Sequence, residues 1–272
     1  SIEDFRFDWY AAFPNIFDGG EGSGFDWVLG NPPWDKVEVL AREREDELLD
    51  HGGAQNHQSS VQERKHHVTT ARQFIRESGQ YPLTGHGRVN TYSSFMERGL
   101  NLVNEDGVCT MVVPTGIVTD YSTRHLVRRL LDHFCIHSLF DFDNRSRFFN
   151  GVQGNVQFCV LTVASVPNGR NRPTSFRMGG RLTSITEDSA GYEIALSLIE
   201  RINPETGNVP VFSSARAMAL VSRIYDSALT VGSASWFVGL RQGHFNMTTG
   251  RKHFVESLRN PSRGTIQLYE AK

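Results

Sequence analysis

The feature that most constrains this chain is residues 107–114, GVCTMVVP, an almost unbroken apolar run bounded by Gly and Pro. Eight residues are too few for a buried helix, so the run reads as a strand covered on both faces. Residues 25–29 (FDWVL), 135–142 (CIHSLFDF) and 155–166 (NVQFCVLTVASV) read as further core strands. Helical stripes fall between them. In NTYSSFMERGLNLVNEDG, Tyr92, Phe95, Met96, Leu100 and Val103 share one face, with Asn90 or Thr91 as the N-cap and a close near Gly107. In YSTRHLVRRLLDHF, Ser122 is the expected cap and Leu126, Leu130 and Leu131 face inward. Strand, helix, strand, helix, strand predicts right-handed crossovers and a mainly parallel sheet. DNRSRFFNGVQG, between the last two strands, is too short for a crossover helix, so those strands form an antiparallel hairpin. The expected fold class is α/β with a terminal antiparallel β-hairpin.

Residues 35–89 interrupt this rhythm as a charged, mostly helical insertion with a flexible centre at Gly52-Gly53. His51, His57, His66 and His67 lie there in no familiar ligand spacing, which points to solvated helix faces and no metal. Beyond Val166, PNGRNRP is a turn-rich break and TSFRMGG an edge strand. AGYEIALSLIERINP reads as an amphipathic helix. VPVFSSARAMALVSRIYDSAL reads as another, with Met218, Val221, Ile224 and Tyr225 inward. Trp236, Phe237, Phe245 and Phe254 follow among Gly and basic residues.

With 28 Lys and Arg against 30 Asp and Glu, the net charge is -2. A compact nucleic-acid binder announces itself by a basic excess, so any such contact here is local or made by other parts. Cys109, Cys135 and Cys159 stand far apart in apolar runs, as reduced core thiols of a cytoplasmic protein would. No apolar run approaches the roughly 18 residues that span a bilayer. The chain lacks an initiator Met and starts inside what reads as structure, so a piece of a longer protein is expected.

The first strand surfaces into Asn31-Pro32-Pro33-Trp34. Two prolines end a strand, since neither donates to a ladder, and Trp34 could simply cap the core. The position argues for more. The motif lies at the carboxyl end of a strand in an α/β sheet, where such folds bind ligands. The prolines hold successive carbonyls in a preset direction, and the Asn amide oxygen beside one gives two converging acceptors. Such a pair suits a planar exocyclic amine, and a neighbouring Trp offers its ring a stacking face, worth roughly 1–3 kcal/mol for a base. Acceptors for an NH2 plus a stacking plate describe a pocket for a flipped-out nucleobase.

GNPPW resembles motif IV, (Asp/Asn/Ser)-Pro-Pro-aromatic, of amino-methylating DNA methyltransferases. The form here is similar to the adenine-N6 enzymes of the large type IIG (Eco57I-like) restriction-modification and phage-defence family. FPNIF ahead of GFDWVLGNPPW matches that family's run-in. VNTYSSFMERGLNLVNEDGVCTMVVPTGIVTD resembles its Asn-x-Tyr-x-x-Phe helix and following strand. FDFDNRSRFFNGVQGNVQFCVLTV resembles motif VIII and the strand after it. INPETGNVPVF and the closing FNMTTGRKHF…LYEAK resemble a connector toward a target-recognition domain.

The resemblance implies the carboxyl-terminal half of a Rossmann-like fold that uses S-adenosylmethionine. Residues 1–166 would be the catalytic portion from motif IV to motif VIII, and 167–272 the connector. It implies that Asn31 (side-chain oxygen) and Pro32 (carbonyl) accept from the adenine N6 amine, with Pro33 completing the motif. Trp34 would stack on the base and Phe149 would contact its other side. Phe148 is the rival of Phe149, and either could instead be a hairpin core residue. Asn31 would touch S-adenosylmethionine only at the pocket edge. The main cofactor loop is expected upstream of Ser1 and the recognition domain beyond Lys272. DGGEGSG (residues 18–24) precedes a strand where a cofactor loop follows one, so it reads as a surface loop. Implied partners are double-stranded DNA with a flipped adenine, the remaining domains of the parent and defence-system subunits. Methylation of RNA adenine or of a protein glutamine amide, and a non-catalytic DNA-binding role, are the alternatives.

Overall fold

The computed structural model describes residues 7–20, 22–37, 54–166, 175–182 and 191–228. Two compact units divide between Ala228 and Leu229. All that follows concerns the first; the second, with Trp236, Phe237, Phe245, Phe254 and the closing connector motif, lies outside the described residues.

Among the described residues six strands make one sheet: β1 (Phe25–Gly30), β2 (Val103–Pro114), β3 (Phe134–Asp143), β4 (Gln157–Ser165), β5 (Ser175–Leu182) and β6 (Tyr192–Ala195). Their spatial order is β1-β2-β4-β3-β5-β6. β1 and β2 pair parallel, as do β3 and β5. The short β3–β4 link forces the expected antiparallel hairpin, with Leu139 opposite Leu161. Its consequence corrects the expectation of a mainly parallel sheet. β4 turns back and inserts between β3 and β2, antiparallel to both, so β2 and β3 run the same way without touching. The fold is α/β with a mixed sheet.

The helices are α1 (Trp9–Ala12), α2 (Ala54–Glu77), α3 (Thr91–Leu102), α4 (Gly116–Thr119), α5 (Arg124–His133), α6 (Leu196–Ile202) and α7 (Ala215–Ser227). α3 and α5 cover one sheet face. Tyr92, Met96 and Leu100 from α3, and Leu126, Val127 and Leu130 from α5, close a core over Cys109, Met111, Val113, Leu139 and Leu161. Burial on both faces of β2 is not found among the described residues. Cys109, Met111 and Val113 are buried, whereas Val108, Thr110 and Val112 on the other face are only half-buried. On that face of β1, Trp27 is 74% exposed and Leu29 78%.

Several expectations shift in detail. α3 stops at Leu102, not near Gly107, because Val103 is already extended and pairs with Phe25 in the sheet. Tyr92, Met96 and Leu100, spaced by four, face inward, while Phe95 lies off that stripe and is half exposed. α5 is capped at Thr123, not Ser122, and Leu131 is half-buried beside its buried neighbours. Residues 192–195 are strand, not helix, since Tyr192 and Ile194 alternate inward with period two. β5 therefore lies inside the sheet, between β3 and β6, and is no edge strand. α7 meets the core through Ala217, Met218 and Val221, and Ile224 points to solvent because the core ends beneath the earlier turns. These elements belong to residues expected to form a connector, and they share one compact unit with the rest of the sheet.

The insertion is helical over α2, as expected. Gly52-Gly53, His51 and the side chain of His57 lie outside the described residues, as does the PNGRNRP break. The glycine-rich segment before β1 is a surface loop, as expected. Gly24 in it is irreplaceable: at φ 123° an added Cβ would stand 2.7 Å from the Asn104 backbone nitrogen. Among the described residues, no helix is long and apolar enough to cross a membrane.

Candidate active site

β1 delivers the chain to Asn31 at its carboxyl end, and the following turn is strapped to α3. The Val37 amide donates to the Val89 carbonyl and the Thr91 amide to the Asp35 carbonyl, both at 3.0 Å. Thr91 Oγ1 donates to the Pro33 carbonyl at 2.6 Å and accepts from the Asp35 amide at 3.0 Å. The Trp34 indole Nε1 donates to the Val112 carbonyl of β2 at 3.2 Å. Two prolines and these bonds leave the Asn-Pro-Pro-Trp turn little freedom.

A cavity of about 700 Å³ opens at this turn, walled by Asn31, Pro32, Trp34, Tyr92, Asp120 and Phe149. Sequence-separated residues thus converge: the β1 exit, the start of α3, the β2–α5 connection and the β3–β4 loop. Asn31 is exposed and Pro32 is buried. The Pro33 carbonyl is occupied by Thr91, so the Pro32 carbonyl is the proline acceptor left for a ligand.

Phe149 stands edge-to-face with Trp34, ring centroids 5.1 Å apart at 72°. Both rings rest on Phe158, at 5.0 and 5.7 Å. Phe148 packs instead on Phe142 and Phe158. Geometry therefore puts Phe149, not Phe148, in the cavity wall. At 5.1 Å the two rings leave no room between them for a further flat ring, which needs about 4.5 Å or more to each centroid.

A second cavity, of about 1010 Å³, runs along β1 and is walled by Trp27, Leu29, Gly30, Phe74 and Tyr81. Asn31 and Pro32 line it as well as the first, so the two cavities share these residues.

The electrostatics are mixed. Lys36 and Arg88 line the first cavity on one side, with Asp35 and Asp120 also in its wall. Burial, and then the Asp120 carboxylate, push the Tyr92 hydroxyl well above its ordinary range, keeping it a protonated donor. Beneath the floor, Thr115 Oγ1 donates to the fully buried Asp141 at 2.5 Å. Burial, and next the Asp141 charge, raise the Cys159 thiol, so it stays neutral. Among the described residues, no three of His, Cys, Asp and Glu gather as a metal group would.

The structure brings the sequence-expected Asn31, Pro32, Trp34 and Phe149 to one cavity, with Pro33 lining the second, beside residues that the sequence did not single out. Thr91 carried only a capping signal, and Lys36 and Arg88 sat in a stretch that looked uniformly charged. Asn144, buried in the β3–β4 loop, looked like an ordinary turn residue.

Residues 1–149 match the family model described as Eco57I restriction-modification methylase. Among solved structures the chain is similar to a type I restriction-modification methyltransferase subunit from Streptococcus thermophilus, at 14% identity and TM-score 0.37, covering 76% of this chain and 33% of that one. It is similar also to the type IIG restriction endonuclease BpuSI, at 13% identity and TM-score 0.39, covering 67% and 20%. The M protein of the type I restriction enzyme EcoKI is a third, at 17% identity and TM-score 0.31, covering 46% and 28%. The chain spans a third or less of the length of each of these proteins. No curated protein sequence matches it. The family match covers more than half of the 272 residues, and the chain belongs to the Eco57I restriction-modification methylase family.

Proposed function

We propose that this chain holds the base-binding part of an active site that methylates the N6 amine of a flipped-out adenine in DNA, with S-adenosylmethionine as methyl donor. One observation carries the reading. Asn31 and Pro32, which carry the two acceptors of this reading, both line an aromatic-walled cavity and a second cavity along β1. An adenine stacked on Trp34 from the first cavity presents its amine to both acceptors. The second cavity is the side from which the methyl group approaches.

The residues act by position and electrostatics. Asn31 and Pro32 accept the two amine hydrogens and draw the nitrogen toward tetrahedral geometry, which exposes its lone pair. When bound, S-adenosylmethionine would supply the methyl from its sulfonium, and the amine nitrogen that takes it would give up one proton to solvent. Pro33, its carbonyl tied to Thr91, keeps the acceptor pair in register, and Phe149 covers the far side of the base. Residues 1–166 act as the catalytic portion and 167–272 lead toward DNA recognition. In this reading most of the cofactor grip and DNA recognition come from other domains of the parent protein, and defence-system subunits are separate partners.

The test is methylation by the full-length protein. Asn31→Ala and Trp34→Ala should each remove N6-methyladenine from DNA. Undiminished N6-methyladenine in both variants would overturn the site, and methylation of RNA or protein in place of DNA would overturn the substrate.

A further inference from the structure

We infer that Asn144 is the positioning residue for the wall of the base pocket that carries Phe149. This rests on the reading of Phe149 given above. The β3–β4 link, residues 144–156, sets Phe148 and Phe149 on Phe158, and most of it is neither helix nor strand. Asn144 fixes its shape from inside. Its side chain is fully buried. Its Oδ1 accepts from the Phe149 amide at 3.0 Å. Its Nδ2 donates to the carbonyls of Phe149 at 3.2 Å, Val152 at 3.0 Å and Gln153 at 3.3 Å. One amide group thereby substitutes for the secondary structure that segment 149–153 lacks.

Asn144 is itself held on both sides. Its amide donates to the Val156 carbonyl at 3.3 Å, and its carbonyl accepts from the Arg147 amide at 2.8 Å, where the chain reverses with φ 56°. Asp143 accepts from the Arg145 amide at 2.9 Å and from Arg145 Nε at 2.7 Å. The clamp is therefore built on the end of β3, part of the rigid sheet. Gly151 and Val152, inside the clamped segment, line the same cavity as Phe149. A base entering beside Trp34 must displace Phe149, and a loop pinned through Asn144 yields as one body and returns to one place. Without the pin, Phe149 has no fixed return position, and the flipped state loses its cover.

Two measurements on the full-length protein test this. In hydrogen exchange, Asn144→Ala should speed exchange across residues 147–156 and leave β2 and β4 protected; unchanged exchange there would overturn the clamp. In methylation, Asn144→Ala should lower kcat/KM about 100-fold, as misplacement of a positioned group does. A mismatch opposite the target adenine eases flipping, so it should raise the variant's kcat/KM about tenfold more than the wild type's. That ratio is taken on one preparation, so partial unfolding affects both substrates equally. An equal mismatch effect in both proteins would overturn the positioning role. Phe149→Ala separates the two readings. If it methylates like wild type, the assignment of Phe149 falls and the functional half of this inference with it. If it is impaired while Asn144→Ala is not, only the inference fails.

Discussion

Thr91 at the start of α3 donates its hydroxyl to the Pro33 carbonyl at 2.6 Å, although 58 residues separate the two in sequence. The same oxygen accepts from the Asp35 amide, so one side chain closes the Asn-Pro-Pro-Trp turn onto a helix of the core. Thr91→Val removes both bonds and keeps the shape. It should cost about 1 kcal/mol of stability and lower methyl transfer roughly tenfold through a looser acceptor pair. Thr91→Ser should restore both. Wild-type turnover by Thr91→Val in the full-length protein would show that the prolines alone hold the turn.

Glu97, 2% exposed on α3, secures the other end of the strap. Its carboxylate accepts from the Leu83 amide at 2.9 Å, the Thr84 amide at 2.9 Å and the Thr84 hydroxyl at 2.6 Å. Those residues precede Arg88 and Asn90, which line the first cavity. Glu97→Ala strands two amides and leaves the Thr84 hydroxyl only Ser94 Oγ, at 3.3 Å, and should destabilise the fold by about 2–4 kcal/mol in urea unfolding. Glu97→Gln, which keeps an acceptor, should lose less than half of that. Equal losses would mean that packing, not hydrogen bonding, sets the cost.

Gly99 marks where α3 presses closest on the sheet. A Cβ there would lie 2.7 Å from Met111 Cε, 2.9 Å from Cys109 Sγ and 3.3 Å from Val28 Cγ1. Gly99→Ala gains about 1 kcal/mol of helix propensity, yet overpacking costs roughly 1–3 kcal/mol. The net expectation is a thermal midpoint lowered by a few degrees, and a midpoint above wild type would show that Met111 swings away freely.

How much of this was legible in the sequence depends on distance along the chain. Periodicity revealed the strands, the α3 and α5 stripes and the hairpin, because each is a local pattern. The short β3–β4 link even required antiparallel pairing, but not that β4 would insert beside β2; that placement follows from Leu161 meeting Met111 across the sheet. Tyr192 and Ile194 read as helical because alternation over four residues is too brief to outweigh the helix that follows. At the site, Asn31 to Trp34 were legible because proline pairs are rare and directional. Thr91 and Asn144 were not, since their roles exist only once the turn and the loop are folded against them.

Cys109 gives the fold an alkaline limit. Burial raises its thiol from 9.0 to about 12, which fixes the sign of the pH dependence. The folded state holds this proton more tightly than the unfolded one, so the contribution is complete below pH 9. It is lost progressively as pH rises from 9.0 toward 12, by roughly 4 kcal/mol at most from three pH units. Cys159 and Tyr92 are raised by burial in the same sense and steepen the same limb. Stability from urea midpoints should therefore be level from pH 7 to 8.5 and fall above 9. Cys109→Ala removes one titrating group from the buried face, so its curve should start lower at pH 7, through lost packing, and fall less steeply above pH 9. An unchanged slope in that variant would mean that water reaches Cys109 before the rest of the core opens.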